Sequence, residues 1–531
     1  MTTRILTTLS ALVLSGALLT GCTAAPEAAP VSGATVTAST TGEYTAATVL
    51  AGNDNASKVG DDEWDAADAV AVTLAGTTAS TADDRVRVEG STVTVTAAGV
   101  YSFTGMLTGQ LVVDAAEDAV VVLILDGVTV SNEAGAALVV LNADDVVISL
   151  AEGSINDLSD AAGYPDDADI NAALFSEADL TITGTGTLQV TGNGGDGITS
   201  EDDLVILSGV LEVTAADDGL RGKGSLSIEG GSISVDVIGD GLKSDNKEEP
   251  GRGYIVLSGG ELDLHSGQDA IDAQTDVVIT GGTLTIAAGD DAVHAEAVLV
   301  IEGGSIRITE SVEGLEGFVV AIAGGDIEVT ASDDGVNASG GDAPDMVDGG
   351  QLVLISGGVL HIDAEGDGID SNGTLLISGG EVVAAGPTGR GNGAMDANGS
   401  FTITGGTLLA YDSGGMPVSP RADSAQSFVA TTVSTIAAGS TVQLRAAGGA
   451  IVTEFRAAKA LSALVYSADE ITAGQQYEIV VDGAVIVTVA AGTELAGGFP
   501  GGRGGMPGGT PPQDGMPGGT PPEGFPGGPR P

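Results

Sequence analysis

The sequence predicts an all-β fold in which the chain winds into a parallel β-helix, a solenoid with coils of about 22 residues. Three observations predict it. One unit recurs along the chain: a short β-rich run, a Gly-Gly pair, a second run and an acidic corner that is usually Asp-Gly. The corner acids follow one another at separations of 22, 22, 29, 22, 22, 21 and 33 residues. Apolar and polar residues alternate within the short runs, as they do in half-buried strands.

The fixed spacing favours stacked coils over a sheet of hairpins. Each run ends at glycine, and neighbouring runs cannot pair as hairpins without burying the wrong faces. If each coil lies on the one before, every strand pairs in parallel with its copy and the apolar positions form a continuous inner column. Nine-residue calcium rolls, leucine-rich repeats and β-sandwiches do not show this register. The two long separations predict loops at residues 246–253 and 340–350.

The rest of the chain divides around this solenoid. An apolar stretch follows Arg4 and ends in Leu-Thr-Gly before Cys22, the single cysteine, which resembles a bacterial lipobox. We therefore expect Cys22 to be diacylated and to hold the protein on the extracellular face of the cell membrane. The predicted segments are a signal peptide at 1–21, the lipidated cysteine and a flexible linker at 22–60, the β-helix at 61–425, a small C-terminal β cap at 426–495 and a disordered Gly/Pro-rich tail at 496–531.

The charge balance restricts the partners. The formal net charge is −57, from 74 acidic and 17 basic residues. Such an excess argues against nucleic acid, which needs a basic face, and against contact with an anionic membrane other than through the lipid. Aromatic residues make up only 3% of the chain, so stacking on neutral sugar rings is poorly supported. Cations and ligands bridged by cations remain the favoured partners.

Stacking brings the corner acids into one column. Two unit charges about 5 Å apart repel by roughly 3 kcal/mol at an effective dielectric near 20, so protonation or a bridging cation is required. Calcium prefers carboxylate and carbonyl oxygens, which Asp-rich turns offer. The alternative, that Asp and Gly simply favour turns, explains less well why the acid returns in every coil. The predicted calcium ligands are Asp196, Asp218, Asp240, Asp269, Asp272, Asp291, Glu313, Asp334, Asp367 and Asp370.

A second column lies three residues after the corner acids and is expected to face outward. Its members are Thr199, Arg221, Lys243, Asp272, His294, Glu316, Asn337 and Asp370. Arg221 and Lys243 are 22 residues apart, so we expect them to be stacked neighbours, with Lys223 and Asp245 two residues further along. These four residues are a candidate clamp for a sugar carboxylate. Neutralisation of Asp218 and Asp240 by Arg221 and Lys243 is the open alternative.

Several ordered motifs carry a resemblance to a known family. They are Ala172-Ala-Leu-Phe-Ser-Glu-Ala-Asp-Leu-Thr-Ile182, Gly197-Ile198, Asp217-Asp-Gly-Leu-Arg-Gly-Lys223 and Asp240-Gly-Leu-Lys-Ser-Asp-Asn246. Over about residues 66–487 the chain closely resembles bacterial carbohydrate-binding domain-containing lipoproteins. The resemblance implies a right-handed parallel β-helix similar to family 9 polysaccharide lyases, bound calcium, and affinity for polygalacturonate and cellulose. The family usually has aspartate after the residue matching Lys223, where this chain has Gly224, so an oxygen ligand is missing there.

These observations lead to one expected function and two alternatives. We expect surface-anchored, calcium-assisted, non-catalytic binding of an acidic polysaccharide such as pectin. One alternative is a polysaccharide lyase acting by β-elimination, for which Lys243 is the only base we can name. Its pKa would have to fall well below its ordinary value, whereas the surrounding acids raise it. The other alternative is a structural surface adhesin.

Overall fold

Short strands in three columns wind around one apolar core. The computed structural model describes residues 44–165, 168–341, 348–413 and 415–495. Within these residues, 39 strands join one large and mostly parallel sheet, and four strands form a second sheet. The signal peptide, Cys22 and the C-terminal tail lie outside the described residues and stay predictions. Among the helices of the described residues, none has the length and apolar character needed to cross a membrane.

We name the three columns of strands the first, second and third faces. The first face contains Ile155–Ser159, Thr187–Gly192, Val210–Ala215, Ser232–Val237, Glu261–Ser266, Thr283–Ala288, Ser305–Glu310, Asp326–Ala331, Val359–Ala364, Glu381–Ala385 and Thr407–Asp412. The second face contains Gln110–Asp114, Leu138–Asn142, Ala172–Ser176, Asp196–Ser200, Leu220–Gly222, Leu242–Ser244, Ile271–Ala273, Val336–Ala338 and Ile369–Ser371. The third face contains Asp145–Leu150, Asp179–Gly184, Asp203–Ile206, Ser225–Ile228, Tyr254–Leu257, Asp276–Ile279, Leu352–Ile355, Thr374–Ile377 and Phe401–Ile403.

Some strands bend across two faces. Gly99–Thr108 and Val120–Ser131 run from the third face into the first, and Val293–Ile301 and Leu315–Ile322 run from the second into the third. The first strands of the solenoid are Val70–Gly76, Ala79–Ser80, Val86–Glu89 and Thr92–Val95.

The coils stack in the register that the sequence predicted. On the first face Val213 pairs in parallel with Val235, and Val235 pairs with Leu264 on the following coil. All three side chains point into the core and are at most 1% exposed. The predicted stacked, all-β solenoid with a mostly parallel sheet is thereby confirmed. The predicted loop at 246–253 connects a second-face strand to a third-face strand of the same coil, and residues 342–347 of the other predicted loop lie outside the described residues.

Glycine is required where one coil turns closely over the next. Gly282, the second glycine of a Gly-Gly pair, has a φ of +92°, which side chains rarely adopt. At the acidic corner, a Cβ on Gly241 would lie 2.6 Å from the carbonyl oxygen of Ala270 on the next coil. The repeated glycines therefore mark the two turns where the backbones of adjacent coils approach most closely.

Antiparallel strands close the C-terminal end. Leu461–Ser467 pairs antiparallel with Thr407–Asp412, the last strand of the first face, and with Phe428–Ile436. Covering an edge strand in this way removes a row of unpaired backbone groups. The second sheet contains Thr441–Ala446, Ile451–Arg456, Gln476–Val481 and Ala484–Ala490. The region predicted as a β cap at 426–495 thus consists of a strand pair on the solenoid and a separate antiparallel sheet.

Part of the predicted linker lies on the solenoid. Residues 44–64, which we call the strap, run along the third face and contain a short helix at Ala46–Leu50, followed by a 3-10 turn at Ala66–Asp68. Ala46 packs against Val278 and Val300, and Val59 packs against Val122. The structure therefore corrects the expectation of a flexible linker for residues 44–60, because the outer side of the third face is apolar and the strap covers it.

Candidate functional site

The predicted corner acids lie in one row, where the first face turns into the second. We call this turn the first corner. The backbone N–H of Asp240 donates to Oδ1 of Asp218 at 2.9 Å, and the N–H of Asp269 donates to Oδ1 of Asp240 at 3.0 Å. The same bond recurs at Asp218, Asp291, Glu313 and Asp367, each donating to the preceding acid of its pair. With the exception of Glu313, which accepts from the side chain of Asn337, each corner carboxylate is thus an acceptor for a backbone N–H of the next coil. This bond explains why the acid recurs, and it leaves the second oxygen for another partner.

The second predicted column is also aligned. Arg221 pairs in register with Thr199 and Lys243, and the register continues through Asp272, His294, Glu316, Asn337 and Asp370. The side chains of Arg221, Lys243, Asp272 and His294 are 15–28% exposed, whereas Thr199 and Asn337 are buried. The column thus lies at the surface for part of its length only, because the corner acids and the neighbouring coils cover the rest.

Lys243 neutralises two of the corner acids. Its Nζ lies 3.0 Å from Oδ2 of Asp218 and 2.6 Å from Oδ2 of Asp240. Burial alone would lower the pKa of Lys243, but the two carboxylates outweigh it and hold that pKa above its ordinary value. Burial raises the pKa of Asp218, and the ammonium opposes that rise. At this pair the structure provides a lysine where the sequence predicted calcium, as the neutralisation alternative requires.

The remaining predicted sugar-binding residues form one ion-pair cluster. Arg221 donates to both carboxylate oxygens of Asp245, at 3.2 and 3.0 Å, and to Glu201 at 2.9 Å. Lys223 lies 2.6 Å from the other oxygen of Glu201. Sequence reasoning missed Glu201, although it precedes Lys223 by 22 residues, which is one coil. A sugar carboxylate at this cluster would have to displace Glu201 or Asp245, so its role in carbohydrate binding stays a prediction.

The acids of the following coils have a different environment. Among the described residues, no lysine or arginine forms an ion pair with the corner acids from Asp269 to Asp367, and His294 lies 3.0 Å from Asp272. Oxygen or nitrogen atoms of Asp269, Asp272 and His294 lie within 4.8 Å of one another, as do oxygens of Asp291, Glu313 and Glu316. Burial is the main cause that raises the pKa of Asp269 to about 6 and of Glu313 to about 7. The hydrogen bond with Asp272 is the main cause that raises the pKa of His294 to about 9, so a protonated imidazole lies beside Asp269 and Asp272. Among the described residues, the corner acids from Asp291 to Asp367 lack a fixed counter-ion.

Asn337 carries an unsatisfied acceptor in this half of the row. Its Nδ2 donates to Glu313 at 2.7 Å, which fixes the orientation of the amide. Its Oδ1 is buried and has no hydrogen-bond partner, a situation that costs about 1–3 kcal/mol. Its register partners are Glu316 and Asp370, and it follows the corner acid Asp334 by three residues. An amide oxygen among carboxylates is a donor set that fits calcium.

Burial also perturbs the acids around Asn337. It raises the pKa of Asp334 to about 6, of Asp370 to about 7 and of Asp367 to about 8. The neighbouring carboxylates Asp334 and Asp396 contribute to the rise at Asp367 and Asp370. Sequence reasoning named the three acids but not Asn337, Glu316 or Asp396 as ligands. For Asn337 and Glu316, the position in the second column was the available signal, whereas Asp396 lies beyond that column.

A second acidic group lies where the second face turns into the third, and it contains its own cation. Asp179, Asp202 and Asp203 have oxygens within 4.8 Å of one another. Nη1 of Arg252, from the loop at residues 246–253, lies 2.6 Å from Asp203 and 3.1 Å from Asp202. A Cβ at Gly224 would lie 2.9 Å from that Nη1 atom. Glycine at this position therefore leaves room for the guanidinium, which stands in place of the missing oxygen ligand.

Comparisons with known proteins identify similar sequences. A family model described as carbohydrate-binding domain-containing protein matches residues 89–343 and 289–475. A protein of the same description from Acetivibrio thermocellus is 45% identical over 195 residues, which cover 36% of this chain and 68% of the relative. A solved structure, the gadolinium derivative of a polysaccharide lyase-like protein from C. thermocellum, is 34% identical, with 45% of this chain and 97% of that chain covered and a TM-score of 0.43.

The two family matches overlap and together extend over most of the described solenoid and into the C-terminal sheet. The protein belongs to the carbohydrate-binding domain-containing protein family.

Proposed function

We propose that this protein is a non-catalytic, calcium-assisted binder of acidic polysaccharides of the pectin type, held at the outer surface of the cell through a lipidated Cys22. Membership of a carbohydrate-binding family supports the class of ligand. The observation that carries the cation is the buried, unpaired Oδ1 of Asn337 among the acids of the first corner. We further propose that the solenoid is right-handed, since parallel crossover connections are almost always so.

The chemistry of the site explains how a very acidic protein binds an acidic polymer. Asn337, Asp334 and Asp370 would hold the cation with oxygen atoms from adjacent coils, and calcium accepts six to eight such ligands. Ligand positions that the protein does not fill are open to the carboxylate of a uronic acid. The cation thus converts repulsion between two negative partners into attraction. The coils from Asp291 to Asp370 are favoured over those with Lys243 or His294, where a cationic side chain already lies beside the carboxylates.

The geometry favours binding over lyase chemistry. A β-elimination needs a base that is unprotonated near the operating pH. Lys243 donates to two carboxylates that raise its pKa, so its amine stays protonated and cannot accept a proton. Lys243, the candidate base of the lyase alternative, is therefore better explained as a counter-ion of the two carboxylates. This supports the non-catalytic proposal.

Asn337→Ala tests the cation site directly. We expect affinity for calcium or terbium to fall about tenfold or more, because a hard oxygen ligand is lost from a buried set. Titration calorimetry of the full chain gives the affinity and the number of ions. Gln189→Ala removes an amide from the first face and is the matched control, for which unchanged binding is expected. Equal affinities for the wild type and Asn337→Ala would show that Oδ1 of Asn337 is not a ligand, and the proposed cation site would then lose its support.

Retention on polysaccharide tests the function as a whole. We expect immobilised polygalacturonate to retain the protein in millimolar calcium and to release it in a chelator, because the cation bridges two acidic partners. Absorbance of unsaturated products over the same incubation should stay at background. Retention that survives the chelator would contradict calcium assistance, rising absorbance would support the lyase, and no retention on acidic polymers would favour the adhesin.

A further inference from the structure

The outer side of the third face carries an apolar row that a parallel solenoid does not need for its core. Its residues follow one another in register from coil to coil: Val100, Val122, Val147, Thr181, Val205, Ser227, Val256, Val278, Val300, Ala321 and Leu354. The corresponding outer row of the first face is polar, with Gln189, Glu212 and Ser234 in register. An exposed apolar stripe of this length would be a site of association.

The strap covers this row. It runs antiparallel to the axis along which successive coils follow one another in the sequence. At one end the N–H of Ala46 donates to Glu302 at 2.9 Å. Further along, Asn53 donates to Asp276 at 3.0 Å, the N–H of Ser57 donates to Asp203 at 2.9 Å, and Val59 donates to Thr181 at 3.3 Å. The solenoid residues that bind the strap thus lie on progressively earlier coils, from the coil of Glu302 towards the N-terminal coils.

The ends of the strap are packed in apolar clusters, whereas its middle is held by polar contacts such as the N–H of Asp54 donating to the carbonyl of Gly251 at 3.0 Å. Ala46 and Val59 lie in two apolar clusters that are separate from the solenoid core. Between them, strap residues 50–58 and the third face border a pocket of about 280 Å³ that is open to solvent and lined by Val205, Ser227 and Val256. Beyond Val59, the indole Nε1 of Trp64 is buried without a hydrogen-bond partner. Both features weaken docking: side chains at the open pocket lack packing partners on one side, and the unpaired donor has lost its water.

We propose that the strap is a latch, which opens and closes on the third face while the solenoid stays folded. The solenoid coils are held by their own parallel pairing and by an inner core that the strap does not enter, so strap release leaves both intact. Segments with few packed contacts open locally at a lower free energy than core strands. Release exposes the apolar row of the third face.

Hydrogen exchange on the full chain, followed by mass spectrometry, tests the latch. In the wild type we expect the amides of Asp54, Ser57 and Val59 to be protected, yet to exchange about tenfold or more faster than those of Ser232–Val237. Ala46→Asp and Val59→Asp each place a charge in an apolar contact, and both should speed strap exchange while the core rates stay unchanged. Arg307→Ala, which removes an exposed ion pair on the first face, is the control and should change neither rate.

Two results would overturn the latch. Strap amides that exchange at the same rate as the core would mean that the strap opens only when the solenoid unfolds. Strap amides that exchange as fast as an unfolded peptide would mean that there is no closed state. Terbium binding at the first corner should be the same in the wild type and both variants, so failure of the cation proposal and failure of the latch are separate outcomes.

Discussion

Replacing Lys243 with methionine is expected to lower the free energy of unfolding at pH 7 by about 3–5 kcal/mol, the usual cost of leaving a buried charge without its partner. Asp218 and Asp240 are 6% and 4% exposed, and both direct Oδ2 at the ammonium. Methionine keeps most of the volume of the lysine stem, so the loss measures the charge rather than the packing. The midpoint of urea unfolding gives the change.

The same variant makes a second result possible. Without the ammonium, the facing oxygens of Asp218 and Asp240 form an acidic pair like those higher in the row, and added calcium should restore much of the stability. A ligand at a hundred times its dissociation constant contributes about 2.7 kcal/mol. Arg307→Ala, which removes a pair with both side chains more than half exposed, should cost less than about 1 kcal/mol and show no calcium effect. A loss as small at Lys243 as at Arg307 would contradict the role of the ammonium as a fixed counter-ion.

The sequence predicted the stacking and the alignment of the acids because both follow from one number, the length of a coil. Residues 22 positions apart in a solenoid are neighbours, so Arg221 and Lys243 were placed side by side without knowledge of any side chain. The same reasoning also placed Lys243 near the corner acids. What the spacing could not show was which carboxylate each base would choose. That choice depends on side-chain reach: Lys243 binds Asp218 and Asp240, while the longer Arg221 reaches Glu201 and Asp245.

The hydrogen bond that links successive corner acids was also beyond the sequence. The interpretation began from repulsion between carboxylates and concluded that a cation must be present. The structure shows that one oxygen of each corner aspartate accepts a backbone N–H, for example Asp269 from Asp291 at 2.8 Å. The acid thus has a reason to recur that is independent of metal. The cation proposed above concerns the acids from Asp291 to Asp370, because no lysine or arginine among the described residues forms an ion pair with them.

The strap and the Arg252 pairing could not be predicted because both come from segments without the repeat. Residues 44–64 have no 22-residue register, and their composition is that of a linker. The third face, which the strap covers, did carry a signal in the sequence. Runs such as Val277-Val-Ile279 are apolar at consecutive positions, whereas a strand with a solvated outer side would alternate apolar and polar residues. An apolar outer row requires a cover, and the strap is that cover.

In the absence of divalent cations, stability should fall as the pH rises from about 5 to 8. Burial raises the pKa of Asp334 to about 6, of Asp370 to about 7 and of Asp367 to about 8, from an unfolded value near 4. A carboxyl whose pKa is higher in the folded state binds its proton more tightly there. Its contribution to stability is therefore complete below pH 4 and is lost as the pH rises through the folded pKa.

Calcium should oppose this loss of stability with rising pH. The cation binds ionised carboxylates, so the stabilisation that it provides grows as the protons leave. A tenfold change in proton affinity corresponds to about 1.4 kcal/mol, so with three perturbed acids we expect several kcal/mol between pH 5 and 8. Melting temperatures measured in chelator and in calcium should thus nearly coincide at pH 5 and diverge by pH 8.

A variant separates these acids from the general effect of a net charge of −57, which also favours low pH because protonation relieves repulsion across the whole surface. Asp367→Asn removes one perturbed carboxyl, and the slope of melting temperature against pH in chelator should become shallower. Asp263→Asn removes an acid on the first face that is 56% exposed, and should leave the slope unchanged. If both variants altered the slope equally, the pH dependence would come from the total charge. Calcium must displace protons from these perturbed carboxyls at pH 5 but not at pH 8. If it raised the melting temperature equally at both pH values, these carboxyls would not be its ligands.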